Sequence, residues 1–276
     1  MKTAVITGAA SGIGLALTKT YLQQNVFVVM VDNDNGKLKS ESESLLISYP
    51  KQLLSIPCDI TRAREVELLA HLVANNCEQI DYLFNNAGII GTLSPVWDLQ
   101  PEQIHRVMDV NLYGTIHMIR AFSPILFKQK NRSHIINMAS LYGLCSGSQL
   151  SAYSMSKHAV LALSESLHFD LNRLEKPVDV SIVFPSFTDT SLLAKNDDEN
   201  NPFHNSLNSL LSHSRPAEEI AHYIAQQVEK KQFYILPDKE VKGYCDERNK
   251  AIISGDVPHI NNIERLLSAL IKRQNK

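Results

Sequence analysis

The sequence predicts an α/β protein in which a parallel, doubly wound sheet of about seven strands lies between two layers of helices. Three observations support this fold class. Short apolar, β-branched segments alternate with longer amphipathic segments, as in sheets whose consecutive strands are joined by helices. A glycine-rich turn follows the first apolar segment, and an aspartate ends the second. No repeat, low-complexity tract or linker divides the 276 residues.

The alternation can be followed from one end of the chain to the other. Strands are predicted at Lys2–Thr7, Val26–Val31, Leu53–Ile56, Asp81–Phe84, His134–Met138, Val178–Phe184 and Phe233–Leu236. Helices are predicted at Leu15–Gln24, Lys37–Ser48, Arg62–Asn75, Pro101–Lys128, Ser151–Glu175 and Ala217–Lys231. Thr61 is the expected N-cap of the third helix, and the fourth helix is expected to be interrupted near Gly114.

These elements predict one catalytic domain over residues 1–237, followed by a partly helical extension over residues 238–276. Within the extension, Ile260–Ile271 has the spacing of an amphipathic helix. The apolar residues expected on one face of that helix are Ile263, Leu266, Leu267, Leu270 and Ile271.

Composition excludes several classes of protein. Hydrophobic residues make up 44% of the chain, charged residues 20%, and the formal net charge is −2, which favours neither nucleic acid nor an anionic membrane as a partner. The four cysteines and ten histidines show no metal-ligand spacing. No apolar run approaches the roughly 18 residues of a membrane span, and the N-terminus is expected to begin a strand rather than a signal peptide. We therefore expect a cytoplasmic protein with reduced thiols and no metal.

The turn between the first strand and the first helix reads Thr-Gly-Ala-Ala-Ser-Gly-Ile-Gly over residues 7–14. A strand, a glycine turn and a helix N-terminus together present free backbone N–H groups to an anion. Glycine is required where a Cβ would block the turn or the approach of a diphosphate. The alternative is a turn that only connects two elements.

Asp32 ends the second predicted strand. In a dinucleotide-binding unit, an acidic residue about 20 positions beyond the glycines accepts hydrogen bonds from the adenosine ribose and repels a 2′-phosphate. Asp32 therefore favours NAD over NADP, with a solvated loop carboxylate as the alternative.

Tyr153 and Lys157 lie four residues apart at the start of a predicted helix, so their side chains share one face. A phenol has an ordinary pKa of about 10, and a nearby ammonium favours the phenolate and lowers that pKa. The pair therefore suits a general acid/base, although the same spacing also occurs on solvated helix faces.

With further motifs in the same order, the chain resembles the short-chain dehydrogenase/reductase family, in its compact single-domain branch with a Rossmann-type fold. The resemblance covers Lys2 to Leu236. Besides the glycine turn and Tyr153-Ser-Met-Ser-Lys157, the motifs are Asp59-Ile60, Asn-Asn-Ala-Gly at 85–88, Asn111, Ser140 and Phe184-Pro185.

The resemblance implies a role for each matching residue. Around the cofactor diphosphate it places Gly8, Ser11, Gly12, Ile13 and Gly14. At the adenosine end it places Asp32 at the ribose, and Asp59 and Ile60 along the adenine. Towards the nicotinamide it places Asn86, Ala87 and Gly88 beside the cofactor ribose, and Pro185, Thr188 and Thr190 near the carboxamide. Tyr153 exchanges a proton with the substrate oxygen, and Ser140 hydrogen-bonds that oxygen. Lys157 lowers the pKa of the tyrosine and holds the nicotinamide ribose. Asn111 holds a water that links Lys157 to solvent.

Two departures from the family pattern affect the expected substrate side. Ser186 stands where the family usually has glycine, so the loop after the sixth strand is expected to be arranged differently. Residues 186–215 correspond to the family's substrate lid. Its apolar residues, Leu192, Leu193, Phe203, Leu207, Leu210 and Leu211, indicate either a hydrophobic substrate or a packed lid helix.

The sequence thus predicts an NAD-dependent oxidoreductase that acts on a secondary alcohol or ketone. Two alternatives are an NADP-dependent carbonyl reductase and a catalytically silent NAD-binding module that reports redox state to a partner. The resemblance also implies a homodimer or homotetramer built from the two long helices.

Overall fold

A sheet of seven parallel strands confirms the predicted fold class. The computed structural model describes residues 1–189, 202–212 and 214–274. The strands are β1 (Thr3–Thr7), β2 (Phe27–Asp32), β3 (Leu53–Pro57), β4 (Tyr82–Asn85), β5 (Ser133–Met138), β6 (Val178–Val183), β7 (Thr188–Asp189), β8 (Arg215–Pro216) and β9 (Tyr234–Ile235). The main sheet has the order β3-β2-β1-β4-β5-β6-β9, while β7 and β8 form a separate parallel pair.

The helices are α1 (Gly12–Gln23), α2 (Asn35–Ser48), α3 (Ala63–Asn76), α4 (Pro101–Met108), α5 (Gly114–Leu126), α6 (Ser151–Arg173), α7 (Pro202–Ser212), α8 (Ala217–Glu229), α9 (Lys239–Ser254) and α10 (Asn262–Gln274). A π-helical turn at Asp109–Tyr113 joins α4 to α5, and a 3₁₀ turn at Leu141–Gly143 follows β5.

Successive residues of each central strand contribute to opposite hydrophobic layers, because side chains alternate across a strand. Ala4 and Ile6 pack in the layer formed with α1 and α8. Val5, between them, packs in the layer formed with α3 and α5. Strands buried on both faces read as continuous apolar runs, which is why the sequence located them.

The strand order reverses between β1 and β4, since β2 and β3 lie to one side of β1 and the later strands lie to the other. In open parallel sheets, the carboxyl ends of the strands form a crevice where the order reverses, and ligands bind there. The Gly-rich turn follows β1, and the Asn-Asn-Ala-Gly segment overlaps the end of β4, so both motifs lie at this crevice.

One local prediction needs correction, and another is confirmed. Thr61 is not the N-cap of α3: Arg62 occupies that position, and the Thr61 hydroxyl donates to Asp59 Oδ1 at 2.8 Å. The fourth predicted helix is interrupted near Gly114, as expected: the π turn at Asp109–Tyr113 separates α4 from α5, which begins at Gly114. A Cβ at Gly114 would lie 2.6 Å from Ile60 Cδ1, so this glycine allows close packing.

The C-terminal segment packs onto the same hydrophobic interior. Val241 of α9 and Ile263 of α10 belong to the apolar cluster that contains Tyr153. Leu266 is 46% exposed, so it does not share the buried face expected for it. The side chains of Leu267, Leu270 and Ile271 lie outside the described residues. None of the helices in the described part of the chain is long and apolar enough to cross a membrane.

Candidate active site

The turn between β1 and α1 is shaped by its glycines. Gly8 and Gly12 have φ angles of +65° and +52°, which side chains rarely adopt. A Cβ at Gly8 would lie 2.9 Å from Ala87 Cα, and one at Gly14 would lie 2.1 Å from Gly8 O. No side chain caps the N-terminus of α1, and its first turn carries no acidic residue. These features fit a diphosphate placed against free backbone N–H groups.

Four residues of the turn, Gly8, Ser11, Gly12 and Ile13, line the cleft above it. Gly14 does not line the cleft but allows α1 to pack closely on the turn. The structure therefore separates the glycine that supports the turn from the residues that face the cleft.

The Asn-Asn-Ala-Gly segment fixes this turn from the neighbouring strand. Asn86 Nδ2 donates to the carbonyl oxygen of Thr7 at 2.9 Å, and Asn86 N donates to Thr7 Oγ1 at 3.0 Å. The backbone N–H of Ala87 donates to the same hydroxyl at 3.1 Å. Asn86, Ala87 and Gly88 all line the cleft.

Asp32 lies at the carboxyl end of β2 and lines one end of the cleft. Its Oδ2 accepts from Ala10 N and its Oδ1 from Asp34 N, both at 3.0 Å. A carboxylate has about four lone-pair sites, so both oxygens retain accepting capacity. Two carboxylates, and neither lysine nor arginine, are found among the described residues that line this end of the cleft. These lining residues are Asp32, Asn33, Cys58, Asp59, Ile60 and Thr61.

Ser140, Tyr153 and Lys157 meet in the same cleft. Ser140 follows β5, whereas Tyr153 and Lys157 belong to the first turns of α6. Their exposed fractions are 8%, 7% and 3%. Ser140 and Tyr153 are joined by a side-chain hydrogen bond. Lys157 Nζ lies 5.7 Å from the centre of the Tyr153 ring and donates to the carbonyl oxygen of Met138 at 2.9 Å.

Burial governs the protonation of this pair. It raises the pKa of Tyr153 to about 12, an effect that the hydrogen bond with Ser140 partly offsets. Burial also lowers the pKa of Lys157 to about 8. The sequence led us to expect that Lys157 would lower the pKa of the phenol. In the structure, desolvation is the largest influence on the pKa of Tyr153, and Lys157 directs its hydrogen bond to Met138 O.

Asn111 lies behind the cleft rather than on its wall. Its Nδ2 donates to Ile89 O and Ser156 Oγ, both at 2.9 Å, and its Oδ1 accepts from Ile89 N at 2.8 Å. Gly88 separates it from Lys157: a Cβ there would lie 3.2 Å from Asn111 Oδ1 and 3.3 Å from Lys157 Nζ. The side chain thus supports the cleft wall, and the water-holding role remains a prediction.

The loop after β6 brings Pro185, Ser186 and Thr188 to the cleft, whereas Thr190 lies outside the described residues. Ser186 is not among the described residues with positive φ, so its backbone conformation does not require glycine; the different loop arrangement expected here remains a prediction. Its N–H donates to Asp238 Oδ2 at 2.9 Å, and Asp238 Oδ1 accepts from Arg215 Nη1 at 3.0 Å. Asp238 was not anticipated, because its contact depends on the tertiary fold.

The cleft has a volume of about 1100 Å³. Its wall includes several apolar residues, among them Ile90, Leu93, Leu141, Tyr142, Leu150, Phe187 and Leu207. Of the lid residues expected from the sequence, Leu207 lines the cleft and Phe203 is buried in the adjoining apolar cluster. Leu192 and Leu193, and the side chains of Leu210 and Leu211, lie outside the described residues.

Sequence reasoning missed the apolar segment that follows Gly88 and the imidazole of His204, both of which line the cleft. The adjacent Ile89-Ile90 was an available signal for the first. No spacing pattern singled out His204. Across the ranges that the structure describes, His, Cys, Asp and Glu form no group of three or more that suits a metal ion.

Comparison with known proteins gives consistent matches. The family model for the short chain dehydrogenases matches residues 2–201. The 1-deoxy-11-beta-hydroxypentalenate dehydrogenase of Streptomyces avermitilis is 36% identical over 191 residues, covering 69% of this chain and 70% of that protein. The CLA biosynthesis dehydrogenase/reductase of Lactiplantibacillus plantarum is 25% identical and covers 96% of this chain and 98% of its own. A Burkholderia phymatum short chain dehydrogenase/reductase, solved with NAD, has a TM-score of 0.88 at 27% identity, covering 94% and 96% of the two chains.

Proposed function

The chain belongs to the short-chain dehydrogenase/reductase family, and we propose that it is an NAD-dependent oxidoreductase acting on a secondary alcohol or ketone. One observation carries the proposal: Ser140, Tyr153 and Lys157 share a cleft with the glycine turn. A nicotinamide cofactor, when bound there, supplies the hydride chemistry.

Tyr153 is the proposed general acid/base. With a pKa of about 12, its phenol is protonated at neutral pH and can donate a proton to a ketone oxygen during reduction. Oxidation requires the reverse transfer, from the alcohol hydroxyl to the phenolate. Ser140, which shares a hydrogen bond with Tyr153, is placed to donate a second hydrogen bond to the developing negative charge on the substrate oxygen.

Lys157 is the proposed cation of the site. A pKa of about 8 leaves most of its amine charged at neutral pH, so it favours negative charge on the neighbouring phenol oxygen. We assign it the nicotinamide ribose as well, since the lysine lines the cleft beside Gly88.

Asp32 supports the preference for NAD. The described wall around it carries no cation to pair with a 2′-phosphate, whereas its carboxylate oxygens can accept from ribose hydroxyls. The B. phymatum neighbour was solved with NAD.

The apolar wall supports a hydrophobic substrate. The S. avermitilis relative is named as a dehydrogenase of a hydroxypentalenate, which agrees with a hydroxyl as the reacting group. We further propose a cytoplasmic homodimer or homotetramer assembled through the long helices, where Tyr113 and Phe169 are exposed. Sedimentation of the purified protein tests the assembly.

The decisive experiment is a panel of alcohols and ketones followed by reduced-nicotinamide absorbance, with NAD and NADP in parallel. Tyr153→Phe keeps the ring but removes the transferable proton, so we expect turnover to fall by roughly 10²–10⁴-fold while NAD still binds. Tyr49→Phe, at a tyrosine that does not line the cleft, is the control. Near-normal turnover by Tyr153→Phe would falsify the assignment.

A second experiment tests the cofactor preference. Asp32→Ala should weaken NAD binding and reduce the discrimination against NADP. Asp34→Asn is a matched control, because it removes a neighbouring charge but retains an oxygen to accept the hydrogen bond from Lys37 N. Unchanged NAD affinity in Asp32→Ala would refute the ribose contact.

A further inference from the structure

We propose that His204 binds a second oxygen atom of the substrate, so that the preferred substrate is an alcohol or ketone carrying another hydroxyl or carbonyl group. This inference rests on the proposed function and specifies its substrate class.

The position of His204 is the first support. It lies in the first turn of α7 and is only 7% exposed. His204 and Leu207, one turn apart, line the same cleft as Ser140 and Tyr153. The inner face of α7 therefore presents one apolar and one polar side chain to the space where the substrate is expected.

The surroundings give the imidazole its significance. Much of the nearby wall is hydrocarbon, including Leu93, Leu150 and Phe187. Binding sites of this kind use a small number of polar groups to fix the orientation of a mainly apolar ligand. Ser140 and Tyr153 fix the reacting oxygen, but a single polar point leaves the ligand free to rotate. His204 supplies a second point.

The chemistry of imidazole defines the matching group. A neutral histidine has one N–H donor and one nitrogen acceptor, which suits a hydroxyl or a carbonyl. A carboxylate would lose its hydration against the leucine and phenylalanine side chains, at considerable cost. The geometry thus favours an uncharged second oxygen.

Helix α7 is packed against α10. Ile263 of α10 lies in the same apolar cluster as Phe203 and Leu207. Glu264, next to Ile263, accepts hydrogen bonds from Ser148 N at 3.0 Å and Ser148 Oγ at 2.7 Å. His204 is therefore presented by a helix that is packed against a second helix, and recognition groups on packed elements are well positioned.

The test compares binding of cyclohexanol with binding of the 1,2-, 1,3- and 1,4-cyclohexanediols, measured by ligand-observed NMR on the full chain with NADH present. No turnover occurs, because the reduced nicotinamide cannot accept a hydride from an alcohol. We expect at least one diol to bind more tightly than cyclohexanol. The ratio of the two affinities should fall about tenfold in His204→Leu, the effect of one lost hydrogen bond. His204→Gln, which keeps a donor and an acceptor, should retain part of the ratio.

Asn208→Ala is the matched control, since Asn208 is exposed on the same helix. It should keep the parent ratio. An unchanged ratio in His204→Leu, or the absence of any preferred diol, would overturn the inference. Because binding is measured without turnover, this outcome is independent of whether Tyr153 is the general acid/base, and the two proposals fail separately.

Discussion

The Lys157 ammonium donates a hydrogen bond of 2.9 Å to the backbone carbonyl oxygen of Met138, the last residue of β5. The same strand leads into Ser140, while α6 carries both Lys157 and Tyr153. This single contact therefore ties the helix that carries the proposed acid/base to the strand that leads to its hydrogen-bonding partner.

Replacing Lys157 separates its catalytic role from its structural one. Lys157→Met removes the charge from a buried site, so we expect turnover to fall by roughly 10²-fold or more and the thermal midpoint to stay equal or rise. Kinetics and thermal unfolding measure the two effects. Lys242→Met, at an exposed lysine, serves as the control. Wild-type turnover in Lys157→Met would contradict the assignment.

The pH profile should differ between the two directions of reaction. Because burial raises the pKa of Tyr153 to about 12, the phenolate fraction at pH 6–8 is small and grows as the pH rises. Oxidation of an alcohol should therefore accelerate from pH 6 to 8, whereas reduction of a ketone, which uses the protonated phenol, should not. Lys157 loses its charge around pH 8, so the rise should flatten above that pH. An oxidation rate that falls from pH 6 to 8 would argue against this proton path.

Glu264 should affect the substrate but not the cofactor. Glu264 belongs to α10, and its carboxylate accepts two hydrogen bonds from Ser148. Ser148 lies in the segment between Ser140 and α6. Glu264→Gln keeps only one acceptor oxygen, so we expect a several-fold higher KM for the substrate with an unchanged Kd for NAD. Steady-state kinetics and NAD titration provide the two values, with Glu247→Gln, at an exposed position of α9, as the control. Equal changes in both constants would indicate general loosening instead.

His134 should make the fold sensitive to acid. Ser181 donates its hydroxyl to Gln232 O, so its oxygen accepts from His134 Nε2, and protonation must occur at Nδ1. Burial lowers the pKa of His134 to about 4, below its value of about 6.5 in the unfolded chain. The unfolded state therefore binds the proton first, and stability falls as the pH drops from 6.5 to 4.

The expected loss from this one group is about 3 kcal/mol, obtained from the difference in pKa. Urea unfolding at pH 7, 5 and 4 measures it. His134→Gln can still hydrogen-bond to Ser181 but does not titrate, so it should show a shallower loss. His71→Gln, at an exposed position, should behave like the wild type. Parallel pH dependence in His134→Gln and wild type would rule out this histidine as the source.

The sequence predicted the centre of the sheet well because the central strands are buried on both faces. The predicted strand from Lys2 to Thr7, for example, is observed at Thr3–Thr7, and that from His134 to Met138 at Ser133–Met138. Continuous apolar runs are a local signal, and local signals can be read from sequence. The same holds for the glycine turn and for the spacing of Tyr153 and Lys157.

Other features depend on contacts between distant segments, which no local pattern records. Lys157 donates its hydrogen bond to the backbone carbonyl oxygen of Met138. Because every residue has a backbone carbonyl, the sequence could not single out this partner. Helix α9 has little periodic signal, since Val241 and Ala251 are its only buried residues. The pKa of Tyr153 is set first by burial and then by Ser140, whereas the sequence showed only the lysine four residues away.

The pairing of the two short strands β7 and β8 fixes both ends of the segment between them. Thr188 pairs with Arg215 and Asp189 with Pro216, so the chain leaves and re-enters the scaffold at adjacent points. The free energy of closing a loop rises by only about 0.6 kcal/mol for each doubling of its length. Closure therefore sets little limit on the length of the segment that joins these two points, and the requirement that remains is a buried apolar face equivalent to Phe203 and Leu207. We expect substrate preference to change when this stretch is transplanted from a relative that keeps such a face.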